Sequence, residues 1–159
     1  MIPALLATLA LLGLALLPGA TIYESVVMAP NYERDIPASI VIARQFLART
    51  TPAHFFRPVT PLTQVLLLSS VVAAWPIALV RWRLVTALGL LLLLDAITFT
   101  FHYPRLAIMF KALLPEDPAR LRRAAREWAL GNLAKAALLV AAFLAALQAV
   151  TMLAAPYTD

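Results

Sequence analysis

Leu84-Val-Thr-Ala-Leu-Gly-Leu-Leu-Leu-Leu-Leu94-Asp95-Ala-Ile-Thr98-Phe-Thr-Phe-His102-Tyr-Pro104-Arg105 is the stretch from which the architecture follows. Its first half, residues 84–94, is close to pure hydrocarbon. Its second half sets Asp95, Thr98, His102 and Arg105 at steps of three, four and three. On a helix these four side chains form one stripe. A polar stripe is costly against lipid, so it must face partners or water. Pro104 has no backbone donor, frees the carbonyl of Thr100 and disfavours helical geometry at Tyr103. The spacing therefore predicts a transmembrane helix that kinks or stops at Pro104, with His102 at its hydrated end.

The apolar character extends over the whole 159-residue chain, which is 63% hydrophobic with a mean hydropathy of +0.87. A soluble domain is about half apolar, so most of this chain belongs in a bilayer. Residues 1–23 carry no charge and are long enough to span at about 1.5 Å per residue. Pro18-Gly19-Ala20 mimics a cleavage region, but the basic segment a signal peptide needs is absent, so this is read as a retained span. Gly13, Leu17, Ala20 and Glu24 share one face, giving a small-residue side that ends in a carboxylate. Residues 62–80 and 136–158 are further apolar runs. The expected fold is all-α: one domain over 1–159, an integral membrane four-helix bundle in up-down order, with spans at about 2–27, 60–80, 84–103 and 131–155.

Between the spans the punctuation is proline. Pro30, Pro37, Pro52, Pro58 and Pro61 make residues 24–61 read as a long first loop with one short interfacial helix at 38–50. There Ile40, Val41, Phe46 and Leu47 supply an apolar side, and Arg44 and Arg49 reach the interface. Trp75-Pro76 marks an interfacial aromatic and a kink. Arg81-Trp82-Arg83 reads as a tight hairpin turn. Pro115-Glu-Asp117-Pro118 is a breaker followed by a helix start, with Asp117 as cap and Pro118 at the first helical position. A basic helix bearing Arg120, Arg122, Arg123 and Arg126 then leads into the fourth span.

There is no cysteine, which excludes disulfides, thiolate metal sites and cysteine nucleophiles. The net charge of +5 points to anionic lipid headgroups rather than nucleic acid, because the basic residues flank hydrophobic spans. Eleven of them (Arg34, Arg44, Arg49, Arg57, Arg105, Lys111, Arg120, Arg122, Arg123, Arg126 and Lys135) fall on the side of the first and third loops, against Arg81 and Arg83 on the other. The positive-inside rule then puts the polar end at the cytoplasmic face and both termini outside, as for a bacterial inner-membrane protein.

Up-down order gathers the remaining polar residues at one end of the bundle. They are Glu24; His54 and Arg57; Asp95, His102 and Arg105; and Glu127, Trp128, Asn132 and Lys135. A cluster drawn from every helix is a stronger sign of a site than any one residue. His102 is the leading candidate, since an imidazole suits proton abstraction or metal ligation. Glu24 and Asp95 either join it in catalysis or serve to pair with cations such as Arg105 and Lys135. Arg105 either snorkels to headgroups or binds an anionic substrate oxygen. His54 is a second polar contact or an interfacial loop residue. Trp128, Asn132 and Lys135 follow one helical face as further substrate contacts, the tryptophan alone being explicable as an anchor. Glu24, His54 and His102 also meet the minimum for a single transition-metal ion, and His54 with His102 for a haem. The residues equally allow no cofactor at all.

Three short stretches resemble a known family. These are Gly19-Ala-Thr-Ile-Tyr23-Glu24-Ser-Val-Val-Met-Ala-Pro30, Thr98-Phe-Thr-Phe-His102-Tyr-Pro104-Arg105-Leu106 and Trp128-Ala-Leu-Gly-Asn132-Leu-Ala-Lys135. Together they are similar to the small four-span membrane proteins of the anthrone-oxygenase-like family. For its fungal members that family implies oxidation of a polyphenolic anthrone to a quinone by dioxygen, with no established familiar cofactor. The resemblance would make His102 the base, Arg105 and Lys135 the oxyanion holders, and Glu24 or Asp95 the orienter. The expected function is an oxygenase or oxidoreductase acting on a lipophilic phenolic or quinol-like substrate. The alternatives are a small-molecule binding or transport protein, which would work as a homodimer, and a non-catalytic partner in a membrane complex.

Overall fold

The computed structural model describes residues 1–111 and 117–155. The described residues are helical throughout, with short turns between. Helix α1 (Ile2–Tyr23) passes through a π-turn (Glu24–Met28) into α2 (Ala29–Glu33), and α3 (Ala38–Phe46) comes next. Helix α4 (Ala53–Ala73) precedes α5 (Ala78–Ile97), which passes through a second π-turn (Thr98–His102) into α6 (Tyr103–Phe110). Helix α7 (Pro118–Ala154) closes the bundle. Four continuous helices, Ile2–Glu33, Ala53–Ala73, Ala78–Phe110 and Pro118–Ala154, are long and apolar enough to cross a membrane. This is a membrane protein built from four such helices.

The main core arises from a three-four-three spacing of buried residues. It takes Ala7, Ala10, Leu14 and Leu17 from α1, Leu84, Ala87, Leu91 and Leu94 from α5, and Leu139, Ala142, Ala146 and Ala149 from α7. That spacing keeps one seam of each helix facing its neighbours. Helix α1 packs on α4 and α7, and α5 packs on the same two. Alanines on α1 and α7 let those backbones approach closely, which drives association where lipid competes for every apolar side chain. Gly13 has a similar role toward α4, because a Cβ there would run into the Thr63 side chain. The outward faces carry exposed large apolar residues, among them Leu5, Leu12, Val65, Leu92 and Leu144, as a lipid-facing surface requires.

A second, smaller core lies beyond the π-turns. It joins Tyr32, Ile36, Ile40, Ala43, Met109, Leu121, Ala125 and Trp128. Tyr32 stands edge-on to Phe110 and tilted to Trp128, both at 5.6 Å between ring centroids. Helix α3 is held there by its apolar side and by Arg44, whose Nε donates to the Met109 carbonyl at 2.7 Å near the end of α6. Asp117 caps α7 as expected, its side chain accepting from the Ala119 N–H at 2.9 Å with Pro118 in the first turn. Pro115 and residues 156–159 lie outside the described residues.

Two expectations need correction. The hairpin lies at residues 74–77, not at Arg81-Trp82-Arg83, which belongs to the first turns of α5. Pro76 cannot continue the ladder of α4. Arg81 instead folds back, donating from Nη1 to the Trp75 carbonyl at 2.7 Å, with its guanidinium 4.7 Å from the Trp75 ring centroid and 5.7 Å from that of Trp82. Nor are residues 24–61 mostly loop. The first helix runs on to Glu33, and α4 begins at Ala53 with Pro58 and Pro61 inside it. Pro58 and Pro61 free the carbonyls of His54 and Arg57, two exposed residues, so α4 persists past them.

The continuity through Pro30 and Pro104 has one cause. Each proline cannot donate to the carbonyl four residues back, Val26 or Thr100. The preceding residue bonds five back instead, Ala29 N–H to the Glu24 carbonyl and Tyr103 N–H to the Thr98 carbonyl. A widened turn absorbs the proline where a kink or stop was expected. It also shifts the register of the later turns by one residue, so the stripe of Asp95, Thr98, His102 and Arg105 does not stay on one face.

Candidate functional site

The two π-turns carry the two buried ionisable candidates. Glu24 opens the first and is 9% exposed, and His102 closes the second and is 1% exposed. Between them comes Asn132 of α7, also 1% exposed. Its Nδ2 lies 3.3 Å from Glu24 Oε2, 3.3 Å from Ser25 Oγ and 3.4 Å from the Thr21 carbonyl. One amide nitrogen has two hydrogens, so it is shared over three acceptors and ties the end of α1 to the start of the fourth membrane helix. Glu24 therefore has a dedicated partner.

His102 has none of this kind. Neither ring nitrogen meets hydrogen-bond geometry with any described group; the Ile97 backbone, five residues back, is close without forming a well-placed bond. The ring packs edge-on to Phe101 at 5.4 Å between centroids. It also packs against α7 at Gly131, where a Cβ would stand 3.2 Å from His102 Cε1 and would strike the Phe101 ring. Gly131 is what lets α7 pass over the second π-turn.

Lys135 is the nearby cation. Its charge acts on Glu24, Asp95 and His102, and its Nζ lies 5.7 Å from the Phe56 ring centroid. It forms no direct ion pair with any described residue. Asp95 is held separately, accepting from Nε2 of Gln64 on α4.

Four expected members are placed elsewhere. The Arg105 guanidinium, whose charge also acts on His102, is held by other groups. Its Nε and Nη2 both lie 2.8 Å from Glu127 Oε2, and its Nη1 donates to the Phe101 carbonyl at 2.8 Å. Trp128 is part of the second core, packed on Tyr32. His54 is exposed, and its Nδ1 accepts from the Thr51 N–H at 3.1 Å in the turn entering α4. Glu127 is occupied by Arg105 and by Arg123, the latter at 2.9 Å. Among the described residues no three His, Asp or Glu side chains form a group able to hold a metal ion. The Glu24, His54 and His102 set is therefore not assembled, because His54 faces outward at the foot of α4.

Gln64, Thr21, Ser25 and Gly131 also surround the site, and the sequence did not mark them as members. Gln64 had a readable signal, an amide inside the apolar run of the second span. Two clefts open at this end of the bundle, one of about 290 Å³ beside Arg105 and one of about 550 Å³ between α2 and α3. Neither is lined by Glu24, His102 or Asn132. Comparison with protein families, curated proteins and solved structures found no match to this chain.

Proposed function

We propose that this protein is an up-and-down membrane bundle that takes a lipophilic, weakly acidic molecule of phenol, hydroquinone or anthrone type from the bilayer. His102 accepts the molecule's proton, and Lys135 balances the resulting anion. The observation that carries this reading is the almost fully buried His102, whose two ring nitrogens lack bonded partners among the described residues. An unmet buried polar group costs about 1–3 kcal/mol. Groups left so in a folded protein call for an explanation, and a catalytic role is one. Glu24 and Asn132 hold the neighbouring helix ends in register. The sequence resemblance to the anthrone-oxygenase-like proteins supports the same substrate class. On an anthrone, loss of a ring CH₂ proton to His102 gives a carbanion that adds dioxygen. The peroxide anion takes a proton, and loss of the second C–H proton with departure of hydroxide leaves a carbonyl and water.

Depth in the membrane agrees with a lipophilic substrate. His102 lies 19 residues beyond Arg83, about 28 Å along the helix, close to the far side of a hydrocarbon layer about 30 Å thick. We place that end at the cytoplasmic face, from the eleven basic residues assigned to its side against two, Arg81 and Arg83, in the first turns of α5.

His102→Asn keeps a polar head of similar reach and removes the titratable nitrogen. With a panel of lipophilic phenols, hydroquinones and anthrones, turnover or oxygen uptake should fall by about 10²–10⁴, the usual worth of general-base help. Binding of the same molecules should persist. Turnover equal to that of the parent protein would remove His102 from the chemistry.

A further inference from the structure

The cleft of about 550 Å³ between α2 and α3 shares no lining residue with the site around His102. Its walls are the two arms of a helical hairpin. The turn at residues 34–37 closes one end, where Ser39 Oγ donates to the Tyr32 carbonyl at 2.7 Å and ties the arms together. Met28 and Phe46, at the far ends of the arms, mark the open end. The lining changes character between them. Arg34 and Asp35 stand at the closed end, while Met28, Ile42 and Phe46 make an apolar wall toward the open one. Ile42 and Phe46, one turn apart on α3, are 65% and 75% exposed.

The groove is oriented by the helix that feeds it. Asn132 and Gly131, adjacent on α7, meet Glu24 and His102, which sets those two at one depth. That depth is close to the edge of the hydrocarbon, so Met28, one turn beyond Glu24, stands at its boundary. Helix α2 continues outward from there, and Arg34 is six residues past Met28, about 9 Å along the helix. A headgroup layer is about 5–7 Å thick on each side of the hydrocarbon. The apolar end of the groove therefore meets the acyl chains, and its charged end lies among or just above the headgroups.

The two charges at the outer end are opposite in sign and uncommitted. Arg34 and Asp35 are exposed neighbours, and neither side chain makes an ion pair or hydrogen bond with a described residue. Asn31 donates from Nδ2 to the Val27 carbonyl at 2.7 Å, which leaves its Oδ1 as a further acceptor in the lining. A guanidinium fork suits a phosphate, and two oxygen acceptors suit an ammonium that still has N–H bonds to give. Both partners occur together, above two chains, in a phospholipid with a primary-amine head.

We infer that this groove seats a phospholipid of ethanolamine type, its phosphate on Arg34, its ammonium on Asp35 and Asn31, and its upper chains against Met28, Ile42 and Phe46. A choline head carries the same charges but has no N–H to donate, so the two lipids separate recognition from general charge. The test is native mass spectrometry of delipidated protein in nonionic detergent, titrated with dioleoylphosphatidylethanolamine and dioleoylphosphatidylcholine. The ethanolamine lipid should bind more tightly by up to about fivefold, the upper worth of one exposed ion pair. Asp35→Asn should abolish that preference, and Asp35→Glu should keep it. Arg34→Gln should weaken both lipids alike. Glu33→Gln removes the same charge as Asp35→Asn from a position outside the lining and should leave the preference intact. Equal binding of the two lipids by the parent protein would overturn the assignment, as would equal effects of Asp35→Asn and Glu33→Gln. Displacement of the lipid by millimolar O-phosphoethanolamine would make the groove a site for the free head and overturn the lipid reading.

Discussion

The two π-turns share a length of five residues and a proline two positions beyond their last residue, yet they treat their buried polar groups in opposite ways. The first presents Glu24 to Asn132 and adds Ser25 and the Thr21 carbonyl to the same amide. The second presents His102 to Gly131 and Phe101, with no well-formed hydrogen bond to any described residue. The same backbone device therefore produces a satisfied polar contact on one helix and an unsatisfied one on the next. A fold that needed only to join its helices would satisfy both. The first turn is a structural clasp between α1 and α7, and the second buries an imidazole without a well-formed hydrogen bond to a described residue.

That contrast breaks most visibly at Asn132. Asn132→Leu keeps the volume near the clasp and removes the amide donor from it, leaving Glu24 buried without its partner. The cost should be about 2–3 kcal/mol, because the carboxyl loses its partner after its desolvation has been incurred. For a chain of this size that corresponds to a fall of roughly 5–10 °C in the unfolding midpoint, followed by circular dichroism in mild detergent. A midpoint unchanged within error would mean that the Asn132–Glu24 contact holds nothing. The next effect in size lies at Gly131. An added methyl meets Phe101 and His102, so Gly131→Ala should cost about 1–2 kcal/mol through overpacking. Gly89→Ala is the matched control, since nothing lies within 4 Å of its added carbon, and it should be neutral or slightly stabilising. Equal behaviour of the two alanines would show that the second π-turn yields freely and that His102 is not held.

How much of this could be read from the sequence divides along a physical line. Four apolar stretches announced membrane helices, since hydrocarbon at that density has no other place to go. Charged and amide groups inside those stretches could not face lipid, so Glu24, Asp95, His102 and Asn132 were recognisable as inward-facing. What each one faces was not recognisable. Arg105 had Glu127 and the Phe101 carbonyl in reach, and Asp95 had Gln64, pairings that depend on helix rotation. The rotation in turn depends on the π-turns, which leave no composition signature beyond a proline that reads equally as a kink or a stop. The hairpin was misplaced for a related reason. Arg81-Trp82-Arg83 looks like a polar turn, yet arginine and tryptophan at a membrane boundary sit comfortably on a helix. The histidine pair failed because His54 sits in the first turn of α4 and is exposed there instead of entering the bundle.

The smallest effect tests the comparison most sharply. His102→Leu replaces an imidazole lacking formed hydrogen bonds with an apolar side chain of similar volume at a site that is 1% exposed. Asn132→Leu makes the same kind of change one helix away, where the polar group is bonded. If burial alone governed both positions, the two substitutions would shift stability alike. If bonding governs them, removing an unmet polar group should be neutral or raise stability, by up to about 1 kcal/mol, because its desolvation penalty disappears and no partner is stranded. In the same thermal measurement His102→Leu should unfold at or slightly above the parent midpoint, while turnover on phenolic substrates disappears. Such a gain in stability with a loss of activity is the pattern of a group kept for chemistry. A clear drop in the midpoint would instead show that His102 is satisfied in the folded protein, through the Ile97 backbone or a bound water. The second π-turn would then be a clasp like the first.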